Sequence, residues 1–269
     1  MGVSVEIIVV DDNGKGTKAQ IANEKKLENY IKTNRIKYIV HEVNKNGAAA
    51  RNTGIVNASG EFIGFLDDDD WFETNKLAEQ INVMQKENSG ASLCGFQRVY
   101  KNNKVASIPE LPENKTELQR KLLAHNIDTC AGSALLITRE TLKEVGLFDE
   151  SFIRHQDLEF IYRVSKVTKI AVCDSVLVNI RMHESNTAIP DARKIEANRL
   201  HYIETFKTDI ESFGHEIKTE ILNAHFLQIA KGYLKNRRIL KYVKWIFKTS
   251  NPIIYICKSI YDGMKYLIK

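Results

Sequence analysis

Two short apolar runs in this chain end abruptly in aspartates, and this feature constrains the fold more than any other. Val3-Ser4-Val5-Glu6-Ile7-Ile8-Val9-Val10 is β-branched and nearly continuous in apolar character before Asp11-Asp12. Glu61-Phe62-Ile63-Gly64-Phe65-Leu66 leads in the same way into Asp67-Asp68-Asp69-Asp70 and Trp71. Such runs predict strands buried on both faces of a parallel sheet. Between them, Thr17 to Thr33 carries apolar residues at helical spacing, and Tyr38 to Val43 reads as a strand. Asn46-Gly47 reads as a turn, and Ala48 to Ala58 as a short helix stopped at Ser59-Gly60. Strands alternating with helices indicate an α/β fold with a mainly parallel sheet. Both aspartate clusters then sit at carboxyl ends of strands, the edge where open α/β sheets bind ligands.

Downstream, the pattern predicts a helix over Asn75 to Glu87 and a strand over Ala91 to Tyr100. Residues 101–128 are polar, carry Pro109 and Pro112, and read as a long excursion. A strand at Ser133 to Ile137 follows, then helices at Arg139 to Val145 and Gln156 to Ser165, and the chain reads as helical beyond about residue 190. A chain of 269 residues, 43% apolar and 27% charged, can build a core without staples, which excludes disorder, collagen and coiled-coil arrays. Cys94, Cys130, Cys173 and Cys257 are widely spaced with no CxxC pair, so they read as free thiols in a reducing compartment. Met1 to Val10 lacks a basic n-region, and no stretch approaches the roughly 18 apolar residues of a spanning helix. The expected location is cytoplasmic, with peripheral attachment to the inner face of the plasma membrane as an option.

Four consecutive carboxylates repel one another unless a positive charge sits among them, and a divalent cation such as Mg²⁺ or Mn²⁺ is the obvious candidate. The bland alternative is a solvated acidic turn. Asp11-Asp12 alone is weaker, since acids after a strand often only cap the next helix. Asn44 to Gly47 followed by Ala48-Ala49-Ala50-Arg51-Asn52 places small residues and then a guanidinium at a turn into a helix, an arrangement suited to an anionic ligand. The alternative is that the alanines simply pack on the sheet.

Taken in order, these segments resemble something specific. Glu6 to Asp12, Asn46-Gly47 with Ala50 to Ile55, and Ala58 to Trp71 look like the donor half of family 2 glycosyltransferases. Val145 to Phe152, followed by Arg154-His155-Gln156-Asp157-Leu158-Glu159-Phe160, is similar to the acceptor half, and Arg181-Met182-His183 falls where that family often carries a late histidine. The resemblance covers roughly residues 5 to 187 and implies a Rossmann-like GT-A fold over residues 1–190, with a helical, basic extension over 191–269.

The resemblance implies residue roles. Asp11 or Asp12 would bond the base or ribose of a nucleotide-sugar donor, and Arg51 would contact its base side. The DxD motif falls on Asp67, Asp68 and Asp69, with Asp69 as metal ligand and His183 as a further metal or phosphate ligand; Asp157 would be the catalytic base. The implied reaction is metal-dependent, inverting transfer from a nucleotide diphosphate sugar, UDP-linked in the first instance, to a glycan or lipid-linked acceptor, as in cell-surface polysaccharide synthesis. A catalytically impaired relative serving as a scaffold is the alternative. A nucleotidyltransferase is disfavoured by the His155-Gln156-Asp157 segment and by the lack of a glycine-rich phosphate loop near the start.

Two departures stand out. Relatives begin with a further strand and helix before the strand that ends in the aspartate pair, so about thirty residues of pattern are missing. The resemblance implies that this strand lies mid-sheet, and its loss should remove ladder bonds and expose apolar surface on two neighbours. The loop Asn13-Gly14-Lys15-Gly16 replaces a serine and a further aspartate, making the Asp12 contact less secure.

Net charge is +5, but residues 231–269 carry 10 Lys and Arg against Asp262 alone, leaving an acidic body with a basic tail. Arg237, Lys241, Lys244 and Lys248 share one helical face, and Ile239, Leu240, Val243, Ile246 and Phe247 share the other, with Trp245 at the border. Ile253, Ile256, Cys257, Ile260, Met264 and Leu267 repeat the pattern. Residues 237–269 therefore read as a partner of an anionic membrane surface or, equally, as a stripe packed on the catalytic domain or on the second copy of a homodimer. Nucleic acid is disfavoured, because the basic charge alternates with bulky aliphatics.

Overall fold

The computed structural model describes residues 3–101, 103–182 and 190–256. They form two compact units, one of Met1–Lys115 with Ile127–His183 and the other of Thr116–Asn126 with Glu184–Lys269. In the first unit, β1 (Ile8–Asp11), α1 (Lys18–Lys32), β2 (Lys37–Val40), α2 (Gly47–Asn57) and β3 (Phe62–Gly64) follow the expected alternation. Thr17 caps α1 by accepting from the Gln20 N–H, and Asn46 caps α2 with a side-chain oxygen that accepts from Ala48 and Ala49. β4 (Trp71–Phe72), α3 (Lys76–Glu87), β5 (Ala91–Val99) and β6 (Lys104–Ser107) come next.

α4 (Lys115–Leu123) leads to α5 (Ala131–Ala134), β7 (Leu136–Thr138), α6 (Arg139–Val145), α7 (Gln156–Val167) and β8 (Ile170–Arg181). Several differences from the sequence reading appear: β1 begins only at Ile8, and Val3, Val5 and Ile7, expected to be buried, are exposed. Residues 101–128, read as an excursion, hold β6 and α4. Ser133 and Ala134 are helical, not extended, and the strand starts at Leu136. The short helix follows Cys130 in left-handed backbone and aims the Ser133 hydroxyl at the Asp67–Asp70 turn. β8, twelve residues long, has no counterpart in the sequence reading.

β1 and β2 form a parallel pair, Ile8↔Lys37 through Asp11↔Val40. The other strands form a second sheet in the order β3-β7-β5-β8-β4, with β6 on β5. Parallel pairing continues there along β5 and β8, from Ala91↔Ile170 to Val99↔Arg181, with a bulge after the Cys94↔Cys173 pair. The short strands β3, β4, β6 and β7 pair antiparallel. The core under the sheet includes Leu93, Phe96, Leu136, Ile137, Phe160 and Ile161, all buried. Phe148 stacks on Phe160 at 4.0 Å between centroids and meets Phe65 edge-on at 5.3 Å, tying the loop before α7 to the end of β3. Cys94, Cys130 and Cys173 are free thiols, and Cys257 lies outside the described residues.

The second unit is helical: α8 (Ala192–Thr205), α9 (Lys207–Ser212), α10 (His215–Lys235) and α11 (Ile239–Ile246), with residues 116–126. Buried His225 contacts the Leu123 carbonyl at 2.8 Å, and Arg120 pairs with Glu117 and Glu220. On α11 the apolar residues divide. Tyr242, Trp245 and Ile246 pack with Ile229 and Tyr233 of α10, while Ile239, Leu240, Val243 and Phe247 are exposed beside Lys241, Lys244 and Lys248. The expected single stripe is thus two: Ile246 and Trp245 face inward, because the helix needs a face against α10. No described helix is long and apolar enough to cross a membrane. Residues 257–269 of the tail lie outside the described residues.

Candidate active site

The site is built around the N-terminal end of α2. Asp12, just after β1, accepts at Oδ1 from the Lys45 N–H at 2.8 Å and at Oδ2 from the Asn46 N–H at 2.8 Å. Its Oδ1 also meets His41 Nδ1 at 2.7 Å, and His41 Nε2 reaches Thr53 Oγ1 at 2.8 Å. Asn46 takes a left-handed backbone, φ 89°, which turns the loop into the helix. Its side-chain amide donates to the Glu150 carbonyl at 3.0 Å, so the loop is fixed at both ends.

Asp11 is buried and takes four hydrogen bonds: from the Asn13 backbone and side chain, from Asn23 at 3.0 Å and from the Tyr38 hydroxyl at 2.8 Å. Burial pushes this carboxyl up, but the donors outweigh it and hold it below the usual carboxylate range. Burial, with the carboxylate beside it, pushes the Tyr38 phenol up to about 12. Asp11 thereby anchors α1 and β2. Asn13 to Gly16 is not a loose loop: Lys15 donates to the His41 carbonyl at 3.0 Å, and Gly14 and Gly16 supply the positive φ of its turns.

Arg51, one turn into α2, joins the segments read as donor and acceptor halves. Its Nη2 donates to Asp67 Oδ1 at 2.6 Å and its Nη1 to Gln156 Oε1 at 3.0 Å, with the guanidinium 5.7 Å from the Phe148 ring centroid. Two glycines make room: a Cβ at Gly132 would lie 3.1 Å from Asp67 Oδ2, and one at Gly47 would lie 3.2 Å from Arg51 Nη1. Asp157, second residue of α7, belongs to the same cluster. Burial raises its carboxyl above the ordinary aspartate range against the Leu158 amide and the Arg51 charge, which lower it; Asp67 raises it further. A carboxyl shifted upward is a stronger base at neutral pH.

The acid run is a tight turn in which the Asp70 N–H donates to the Asp67 carbonyl at 3.1 Å. Ser133 Oγ donates to Asp70 Oδ2 at 2.7 Å and accepts from the Asp67 N–H at 3.2 Å, and the Arg181 N–H reaches Asp70 Oδ1 at 3.2 Å. Burial, followed by the charges of Asp69 and Asp67, raises the Asp70 carboxyl. Asp68 is exposed and Asp69 partly so. No group of three or more His, Cys, Asp or Glu side chains among the described residues could hold a metal, so the described residues do not provide a protein cage. One or two carboxylates at a strand end do fit a hard ion that completes its shell with substrate phosphates. His183 lies outside the described residues.

Sequence reasoning missed three contributors. Asn52, buried, donates to the Phe148 carbonyl and Glu150 Oε1, both at 2.9 Å, and accepts from the Phe148 N–H at 2.8 Å. Gln156, quoted above only as part of the His155-Gln156-Asp157 segment, and Ser133 are the others, and local spacing gives neither side chain its contact.

The sequence profile described as glycosyl transferase family 2 matches residues 3–146. The chain belongs to this family. A Rickettsia typhi protein named as an uncharacterized glycosyltransferase is 29% identical over 201 residues, 72% of this chain and 61% of that protein. An Escherichia coli protein named UDP-Glc:alpha-D-GlcNAc-diphosphoundecaprenol beta-1,3-glucosyltransferase WfgD is 30% identical over 67% of each chain. The structure of S. aureus TarS 1-349 in complex with UDP-GlcNAc aligns over 92% of this chain and 72% of that one, with a TM-score of 0.63 and 18% identity. The fold of this family 2 chain is accordingly that of the GT-A glycosyltransferases, a mixed α/β sheet with helices.

Proposed function

We propose that this chain transfers a sugar from a nucleotide diphosphate donor, UDP-linked, to a hydroxyl of a glycan or lipid-linked acceptor with inversion at the anomeric carbon. The observation that carries the reading is Asp157: a carboxyl with raised proton affinity, clustered with the Arg51–Asp67 pair. Its role is to accept the proton of the acceptor hydroxyl as that oxygen attacks the anomeric carbon and the nucleoside diphosphate departs. Arg51 and the α2 N-terminus would offer positive charge to the donor, and Asp12, with a lone pair left on Oδ2, would contact the nucleoside. Asp68 and Asp69 would hold Mg²⁺ or Mn²⁺, which when bound supplies charge neutralisation for the leaving diphosphate.

Relatives' names support this reading: WfgD's name specifies a UDP-Glc donor and a diphosphoundecaprenol acceptor. A peripheral, inner-face location fits the exposed apolar face of α11 with its lysines, and residues 1–190 would be the catalytic part, 191–269 the helical extension. The test is Asp157→Asn with UDP-sugar donors and a lipid-linked acceptor. Loss of turnover with donor affinity retained supports the assignment, and unchanged turnover rejects it. A second reading, an impaired relative acting as a scaffold, is favoured by the sheet break between β1 and β3. Calorimetric titration of UDP with Mn²⁺ separates the two, since micromolar affinity excludes an impaired donor site.

A further inference from the structure

β1 and β3 line one groove without sharing a ladder. Their ends show that they run the same way. The Glu6 carboxylate, before β1, accepts from the N–H groups of Ser59 and Gly60, before β3, at 2.5 and 2.6 Å. Asp11, the last residue of β1, with Asp12, Asp67 and Asp68 beyond the two strands, lines the other end of the groove, whose volume is about 840 Å³. One glutamate side chain bridges the two segments at that end, where a direct ladder would hold the strands about 4.8 Å apart.

Backbone alternation shows what the groove offers. The Ile7 and Asp11 carbonyls accept from the Lys37 and His41 N–H groups on the β2 side. The N–H and C=O groups of Ile8 and Val10 therefore project from the opposite edge. On β3 the Glu61 carbonyl accepts from the Arg139 N–H, and Ile63 pairs with Ile137. Phe62 and Gly64 turn their backbone groups away from β7, toward the groove. Val5 and Ile7 on the same run as β1 are 55% and 52% exposed, although they are apolar.

We infer that the groove receives one added β-strand, a free, extended apolar segment of roughly five residues parallel to β1 and β3. A strand already embedded in a sheet cannot enter a slot walled on both sides, so the occupant is a free extended segment, not a folded second copy. The acidic end of the groove favours lysine after the segment's last residue. The inference does not rest on the transferase reading.

The test is amide-resolved hydrogen exchange on the full chain, without nucleotide. The probe is an acetylated, amidated peptide that copies residues 3–10 with two lysines appended; its control is the same peptide N-methylated at alternate residues. The expected result is exchange slowed about tenfold or more at Ile8, Val10, Phe62 and Gly64 by the probe and not by the control. Three results overturn the inference: no slowing at saturating probe, equal slowing by both peptides, or protection of these four amides in the free chain that already matches Val9 and Asp11. The last would mean the chain closes the slot itself.

Discussion

Arg51 Nη2 lies 2.6 Å from Asp67 Oδ1, although 16 residues and a strand separate them in the chain. The pair welds the α2 N-terminus to the acid turn, and through Gln156 it reaches the start of α7. Three sequence segments with separate readings thus become one electrostatic unit, half-exposed at Asp67 and partly buried at Arg51. For a pair this exposed, the net stabilisation is modest, and its value lies in geometry.

Gly132→Ala tests that geometry. The new methyl group would sit 3.1 Å from Asp67 Oδ2 and 3.4 Å from Arg51 Nη2, so the carboxylate must give way by a few tenths of an ångström. The expected outcome is roughly tenfold weaker donor binding by calorimetry, as for one lost charge-assisted hydrogen bond, with stability within about 1 kcal/mol of the parent.

Asp157→Asn should separate activity from stability. The folded-state carboxyl is raised, so its contribution is fully present below the ordinary aspartate range and is lost as pH rises through the folded value. Asparagine removes that loss. The variant is expected to unfold at the same denaturant concentration as the parent at pH 3 and at an equal or higher one at pH 7, while turnover falls by roughly 10² to 10⁴.

Asn52→Ala removes both side-chain partners of the Phe148 backbone and one donor to Glu150. Leaving buried backbone groups unpaired costs about 2–3 kcal/mol. A lower urea midpoint with an unchanged slope is the expected result.

Lys76 is fully buried, its ammonium 4.1 Å from the Phe72 ring centroid, and burial lowers it to about 8. The unfolded chain then binds more protons between that value and 10.5, so stability contributed by this residue rises with pH across the window. Burial raises the Cys94 thiol to about 11, which acts in the opposite direction above pH 9. Lys76→Met should abolish the rise between pH 8 and 9 and raise stability at pH 7 by on the order of 1–3 kcal/mol, read by chemical denaturation.

The outward face of α11 predicts binding to vesicles of phosphatidylglycerol and phosphatidylcholine. Leu240 and Phe247 are 88% and 64% exposed, so Leu240→Glu with Phe247→Glu leaves the packing on α10 intact. Sedimentation with vesicles should drop to background and thermal unfolding stay unchanged. Full binding by the double variant would reject the membrane reading.

Much of the fold was legible because its signals are local. β-branched runs, the Thr17 cap and the Asn46 turn depend on neighbours a few residues away, and α1, α2, α3 and α6 lie where spacing predicts them. β8 escaped because Ile170 to Arg181 carries Asp174, Ser175 and Asn179 within its apolar run, and its partner β5 is some eighty residues away. Ser133 escaped for a related reason: its hydroxyl serves the acid turn, and a small residue between Gly132 and Ala134 looks the same in a strand as in a helix.

What the sequence determined by itself is the family, the alternation of strands and helices from β1 to β3, and the position of the carboxylates at the ends of β1 and β3, since each follows from residue type and short-range spacing. Which aspartate is spent on scaffolding was decided only in three dimensions. Asp11 and Asp12 read alike, yet one is buried under four donors while the other pins the loop into α2. The open groove and the two-faced α11 are tertiary facts as well. A backbone group is paired, or an apolar side chain covered, only by whatever chain distant in sequence arrives beside it.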